Sequence, residues 1–455
     1  MKNKEDLDLV IEKLIIFVLV FLSFLVCLFH IIDHDELEAI HTAWKIMRGQ
    51  VMYIDFFQQK PPFFHYALIP VINIFSESVN TIYLCRLYVY LYYLVIVGST
   101  FFMSKYVFGN QSKYISVILL LSCTFFTDKL TEIRPDVAYM MFGMLAILLI
   151  FRKLRVDNLS LLLSGIFFGL SFSYLPKAVI YIIPVSMFLF VRAYFKKVSI
   201  IGLLLYFFAM FAVIGIFWIH LSGIISLKDY YFFNYLMNFK FLGTFSPWPG
   251  LILFFKENSA FLLIALYGLF FLKKYRQKEV AILAIILFLS IFKINVPNRQ
   301  YILPSVPFLA MIAANFISRA KFLNHRWWLI LIIIMYPFSV LVNSIINSPQ
   351  SYQIQQIKYV LEHTRPIDKV YDGNIEFNVF RDDIHYFWFS VRPQGVVDTY
   401  NTMRTKDYDV YKEIEYNKPQ FIYMKYLDSE NEVIKKYYVP SKMYKHLYVR
   451  RSGRG

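Results

Sequence analysis

Eleven apolar runs leave this chain few folds to choose from. They cover roughly 13–32, 80–104, 114–127, 135–151, 159–174, 178–191, 198–220, 258–272, 280–296, 300–318 and 327–346. In a bilayer each backbone N–H and C=O must find its partner inside the protein, so isolated apolar runs cross as helices. About 20 residues span the hydrocarbon, and several of these runs fall short of that length. The expected architecture is an α-helical polytopic membrane protein of about 11 transmembrane helices. Residues 63–75 are too short to span and end in a polar loop, so they read as interfacial or re-entrant. A hydrophobic share of 58% with 19% aromatics excludes an ordinary soluble domain. Cys27, Cys85 and Cys123 all fall inside apolar runs, which gives neither a disulfide framework nor metal-type spacing. The first segment has acids mixed among its lysines and no small-residue cleavage site, so it reads as a retained anchor.

Charge sets the orientation. The formal charge of +16 comes from basic residues that punctuate the apolar runs and form no single patch, which argues against nucleic acid as a partner. The loops at 105–113, 152–158, 192–197, 273–279 and 319–326 hold fifteen Lys or Arg; the loops near 128–134, 174–178 and 293–299 hold five. The positive-inside rule then places the N-terminus in the cytoplasm. An odd number of crossings puts the chain after about 347 outside. The expected division is a membrane domain over 1–346 and a small extracytoplasmic α/β domain over 347–455. In the latter, 351–363 and 428–437 read as helices and Lys369–Tyr371 and Phe421–Met424 as strands. It carries no phosphate-cradling glycine loop, His/Cys cluster or nucleophile elbow, and Arg450, Arg451 and Arg454 read as a solvated tail.

The first outer loop, Asp33–Pro62, concentrates the chemistry. Residues 37–51 read as an interfacial helix with Leu37, Ile40, Trp44, Met47 and Val51 on one side and Glu38, His41, Lys45 and Arg48 on the other, stopped at Gly49. Asp33, Asp35 and Glu36 sit at its start, where carboxylates suit the positive end of the helix. They read equally as a cap that holds the loop. Lys60 precedes two prolines, which stiffen the backbone beneath a point charge suited to phosphate. Arg134 and Asp136 flank Pro135, Lys177 follows Pro176, and Arg299 and Tyr301 open another apolar run. Taken singly, each has a structural reading as a snorkelling or ion-paired side chain. Four cations and an acid cluster on one membrane face together suggest a grip for a lipid-linked phosphate with a carboxylate left to take a proton. A transporter would more often carry ionisable groups at mid-span, and these runs are nearly clean.

Asp35-Glu36, Ala43-Trp44, Arg48-Gly49, Tyr53-Ile54-Asp55-Phe56-Phe57 and Lys60-Pro61-Pro62 keep an order and spacing that resemble the first outer loop of the GT-C glycosyltransferases. The resemblance points to the branch with the protein O-mannosyltransferases and the aminoarabinose lipid A transferase; Arg134-Pro135-Asp136 and Arg299-x-Tyr301-x-x-Pro304 are similar in the same order. It spans about the first 320 residues. It implies an inverting transfer of a sugar from a polyprenyl-phosphate donor to a lipid, glycan or protein hydroxyl of the cell envelope, at the outer face of a bacterial inner membrane. Carried over by position, Asp35 is the base and Glu36 its neighbour; Lys60 meets the donor phosphate with Arg299, Tyr301 and Arg134. Asp33, Asp136, Lys177 and His41 are candidates for the substrate pocket. In the lipid A transferase branch an acid precedes the lysine and helps bind a metal. Here that position is Gln59, so a metal-free reaction is expected, with a divalent ion as the alternative. Residues 230–241 are aromatic and suit either a cover over the substrate or a headgroup belt. A polyprenyl-lipid flippase with the same grip and no transfer is the alternative function, and a non-catalytic scaffold a third. The sugar and the acceptor are not legible.

Overall fold

The structure, a computed structural model, describes residues 2–237, 248–294, 299–319, 326–387 and 409–451. Seven described helices are long and apolar enough to cross a membrane: Leu7–Phe29, Asn80–Val107, Pro135–Arg152, Pro176–Tyr194, Ile200–Ser222, Trp248–Phe271 and Trp327–Glu362. Pro62–Phe75, Lys113–Ser122, Asn158–Tyr174 and Leu303–Arg319 are apolar but shorter. The expected count of eleven therefore does not carry over as eleven full-length spans. Two local causes are visible. The run expected over 114–127 breaks at Cys123 (φ −65°, ψ 113°) into the helices Lys113–Ser122 and Thr124–Leu130. The run expected from 258 begins at Trp248 and bends at Asn258 (φ −127°, ψ 24°). There the Asn258 amide donates to the Phe254 carbonyl (3.2 Å) and to Thr124 Oγ1 (3.1 Å), a side chain inserted into the helix ladder.

The chain groups into two compact units. One comprises Met1–His30, Arg86–His220 and Gly243–Ser348, and the other Ile31–Cys85, Leu221–Leu242 and Pro349–Gly455. In the first, the helix Asn158–Tyr174 approaches Ile200–Ser222 so closely that a Cβ on Gly165 would lie 2.2 Å from the Tyr206 carbonyl oxygen. Small residues permit such packing where lipid gives no hydrophobic drive between helices. Arg192, fully buried, grips Glu279 with two hydrogen bonds (2.9 and 2.5 Å) and donates to the Ile150 carbonyl (3.0 Å). A buried guanidinium tolerates this position only because its fork is filled.

The second unit joins Ile31–Cys85 to the C-terminal residues. Its sheet has five short strands, β1 (Lys369–Tyr371), β2 (Asp382–Asp383), β3 (Phe421–Tyr423), β4 (Tyr438–Pro440) and β5 (Leu447–Arg450), in the order β2-β1-β3-β5-β4. β1 runs parallel to β2 and β3, whereas β5 is antiparallel to β3 and β4. Tyr371, Ile384, Ile414, Ile422, Met424, Ile434 and Tyr438 form its core beneath the helices Val410–Asn417 and Glu432–Tyr437. The expected helix over 351–363 is found at Gln350–Glu362, and both expected strands are present. The tail expected at Arg450 is instead the end of β5, paired with Tyr438 of β4; Arg454 lies outside the described residues.

Candidate functional site

The acidic helix runs His34–Met47 and starts on a capping box. Asp33 Oδ1 accepts from the Asp35 backbone N–H (3.0 Å), and Glu36 Oε1 accepts from the Asp33 N–H (3.0 Å). Two orphan donors of the first turn are thereby satisfied. Asp33 and Glu36 thus shape the helix start, and Asp35 between them is left facing outward. The helix ends at Arg48, followed by Gly49 at φ +87°, a conformation that costs glycine little.

Lys60 closes the other end of the loop. Its Nζ donates to Asp35 Oδ1 (2.8 Å) and to Glu38 Oε2 (2.8 Å). One ammonium is therefore shared by two carboxylates one helical turn apart. Its backbone is held at both its N–H and its carbonyl, and one of the two holders is itself braced. Gln58 Oε1 accepts the Lys60 N–H (3.1 Å), Gln58 Nε2 donates to Thr42 (2.8 Å), and the Tyr53 hydroxyl donates to the Lys60 carbonyl (2.8 Å). Tyr53 itself is left-handed (φ 69°), and its hydroxyl accepts from Asn234 Nδ2 (2.9 Å) while its ring stacks on Phe233 at 5.1 Å. Asn234 and Phe233 belong to the aromatic stretch expected as either a cover or a headgroup belt; its residues 238–241 lie outside the described residues. Pro61 and Pro62 then lead into the helix Pro62–Phe75.

Electrostatics separates the members of this cluster. Burial pushes the Glu38 carboxyl up, and Lys60 pulls it part of the way back. Burial alone would lower Lys60, but Asp35 and Glu38 outweigh it and hold the ammonium above the usual lysine range. Burial, helped by the positive charge of Lys60, takes His65 down to about 3. His65 is thus neutral; its Nδ1 donates to the Ala39 carbonyl (3.3 Å), and Nε2 has no partner among the described residues. Glu38 and His65 are members that sequence reasoning did not select. For Glu38 the signal was available: it stands three residues after Asp35 on the same helical face.

His41 is not part of this cluster. It faces the C-terminal residues, with Nδ1 on the Val379 carbonyl (3.0 Å) and Nε2 on Asp383 Oδ2 (3.0 Å). Lys45 also bonds Asp383, which Asn378 Nδ2 reaches from the other side (3.0 Å).

The remaining expected residues lie in the other unit. Lys177 Nζ donates to Asp136 Oδ1 (2.7 Å) and stands 4.0 Å from the centre of the Tyr301 ring, so these three come together. Arg134 pairs with Glu132, which Lys129 also holds (2.5 Å). Arg299 begins a short 3-10 turn, Arg299–Tyr301, and its side chain lies outside the described residues. Two groups of described residues have donors close enough for a metal ion, Asp33/His34/Asp35 and His30/Asp128/Glu132. In the first, Asp33 already caps the helix; in the second, Glu132 already meets two cations. Neither donor set fits a dedicated metal centre well.

Residues 59–218 match the family model described as dolichyl-phosphate-mannose-protein mannosyltransferase. No curated protein matches the sequence. Among solved structures, ArnT from Cupriavidus metallidurans bound to undecaprenyl phosphate is similar, with a TM-score of 0.70 at 12% identity over 97% of each chain. The apo oligosaccharyltransferase of Archaeoglobus fulgidus gives 0.59 at 13% identity over 90% of this chain and 69% of that one. AglB from the same organism, in complex with an inhibitory peptide and a dolichol-phosphate, gives 0.51 at 12% over 83% of this chain and 64% of that one. Likeness at such identity establishes the fold alone: the chain is built as these solved proteins are.

Proposed function

We propose that this protein transfers a sugar from a polyprenyl-phosphate carrier to a hydroxyl of a cell-envelope lipid, glycan or protein, at the outer face of a bacterial inner membrane. The observation that carries the reading is the Asp35–Lys60 pair, a carboxylate and an ammonium 2.8 Å apart in one stiffened loop. The GT-C fold and the neighbours' polyprenyl-phosphate ligands support it.

In the proposed step the acceptor oxygen forms a bond to the anomeric carbon as the bond from that carbon to the phosphate oxygen breaks. Asp35 takes the hydroxyl proton, a role worth about 10²–10⁴-fold in rate. The polyprenyl phosphate leaves as an anion beside Lys60, where fixed positive charge lowers the energy of the developing negative charge. Attack opposite the leaving group inverts the sugar. Tyr301, Arg299 and Arg134 are proposed as further contacts to the donor, and Lys177 with Asp136 as substrate-pocket residues. The reaction is proposed to run without a resident metal.

The test compares wild type with Asp35→Asn in reconstituted membranes supplied with polyprenyl-phosphate sugars, with glycan products read by mass spectrometry. Loss of transfer of at least 10²-fold with donor binding retained is expected for a general base. Full activity in Asp35→Asn would favour a flippase that only shares the phosphate grip.

A further inference from the structure

Lys60 has one positive charge and two anionic neighbours. Asp35 and Glu38 each sit 2.8 Å from its Nζ, so the cluster is net negative before any substrate arrives. A sugar phosphodiester adds another negative charge. Three anions around one ammonium repel each other strongly in a partly buried loop, where the dielectric is low. Something must yield if the phosphate is to reach Lys60.

The two carboxylates are not equivalent. Asp35 lies in the first turn of its helix, where the exposed N–H groups favour a charged carboxylate. Glu38 lies beyond that turn. Its side chain is 3% exposed against 20% for Asp35, so water solvates it far less. Oε1 of Glu38 has no hydrogen-bond partner among the described residues. An ionised carboxylate this dry, with only a weak contact from the Gln58 side chain beside Lys60, is costly, and neutralisation relieves that cost. Asp35 must also stay ionised to serve as base, which leaves Glu38 as the group that can change state. The surroundings agree. Facing Glu38 are Lys60 and Gln58 from the segment ahead of the Pro62–Phe75 helix and Asp35 from its own helix, while His65, from the Pro62–Phe75 helix, feels Lys60 and bonds the Ala39 carbonyl. His65 is neutral, so Lys60 is the cation that keeps Glu38 charged. When a phosphate draws Lys60 away, that support goes.

Resting on the glycosyl-transfer reading, we propose that Glu38 is a proton-linked counter-ion of Lys60: it shares the ammonium while no donor is present and takes up one proton from solvent as the donor phosphate replaces it. The proton returns to solvent when the polyprenyl phosphate leaves. Glu38 is thus a positioning residue, acting through Lys60 and not on the sugar. The arrangement couples donor affinity to pH and keeps Lys60 occupied against weaker anions.

The test uses the full chain in nanodiscs and a short polyprenyl methyl phosphodiester, whose single charge does not titrate between pH 5 and 9. Calorimetry in two buffers of different ionisation enthalpy counts protons taken up on binding. For wild type the expected result is uptake approaching one proton on the alkaline side, with affinity falling by up to about tenfold per pH unit. Glu38→Gln should take up none, bind independently of pH, and bind more tightly than wild type at pH 8. Wild-type binding with no proton uptake overturns the proposal without reference to any variant. The same pH slope in wild type and Glu38→Gln also overturns it while leaving the donor reading intact. Should Lys60→Gln bind the probe as well as wild type, the phosphate does not sit at Lys60, and the donor reading fails together with the proton link.

Discussion

Replacing Asp383 with alanine should loosen the second unit more than any other single change to its sheet. Asp383 is 6% exposed at its side chain and answers two partners that are as deeply buried, the Lys45 ammonium at 4% and the His41 ring at 1%. Burial pushes its carboxyl up, but Lys45, helped by the His41 hydrogen bond, keeps it down at about 2, against an ordinary 3.8. A folded value below the unfolded one stabilises at pH above about 4, and that contribution is lost as pH falls through about 2. At 1.36 kcal/mol per unit the shift corresponds to about 2 kcal/mol. Truncation costs more than the linkage figure, because Lys45 is left buried without its anion; removing one partner of a buried pair typically costs about 3–5 kcal/mol. At roughly 2–4 °C per kcal/mol for a unit of this size, the expected drop in Tm is about 6–20 °C. The assay is thermal unfolding in detergent, read by protease cleavage within the C-terminal residues. Glycosyl transfer should fall too, since the same helix carries Asp35. A triple change, His41→Leu, Lys45→Met and Asp383→Leu, removes all the charges together and should recover most of the stability. A loss below about 0.5 kcal/mol for Asp383→Ala, the range of ordinary surface changes, would refute the reasoning.

Two other perturbations separate support from chemistry. Tyr53→Phe removes a hydroxyl that serves both the Lys60 carbonyl and Asn234, so it should cost about 1–3 kcal/mol in the same unfolding assay and weaken donor binding; an unchanged Tm counts against Tyr53 as the brace of Lys60. Glu36→Ala breaks the capping box and should lower stability by about 0.5–2 kcal/mol while keeping far more transfer activity than Asp35→Asn; equal loss of turnover in both variants would give Glu36 a share in the chemistry.

The helical membrane character, the acidic helix and the α/β character of the C-terminal residues were legible because periodicity and hydropathy are local signals, whereas the count of eleven full-length spans was not. The break at Cys123 and the bend at Asn258 were not, since both residues sit inside apolar runs where the pattern continues undisturbed. The helix start was read as an undivided acid cluster. The Asp33-x-x-Glu36 spacing could have divided it, because it marks those two as a reciprocal cap. Asp383 could not be anticipated. It lies in a two-residue strand and meets Lys45 across 338 positions of chain, a separation that no local window spans. β4 and β5 escaped for a similar reason: they are three and four residues long and alternate too briefly to register.

The cations tell the same story in both units. Lys60 is held by Asp35 and Glu38, Lys177 by Asp136, and Arg134 by Glu132. A protein meant only to attract phosphate at a membrane surface would leave such charges bare, and each bare cation would gather the abundant anionic headgroups at about 1 kcal/mol apiece. A paired cation is selective. An incoming phosphate must displace or neutralise a carboxylate, and a headgroup with no further contacts lacks the binding energy to do so. On the proposed function, a donor bound through its sugar and its prenyl chain as well would have that energy, and would release the cation only when correctly seated. On the proposed function Asp35 would benefit twice: while the site is empty Lys60 holds it in place, and a phosphate that took Lys60 would leave it the better base, because the charge that stabilised its ionised form would have moved away.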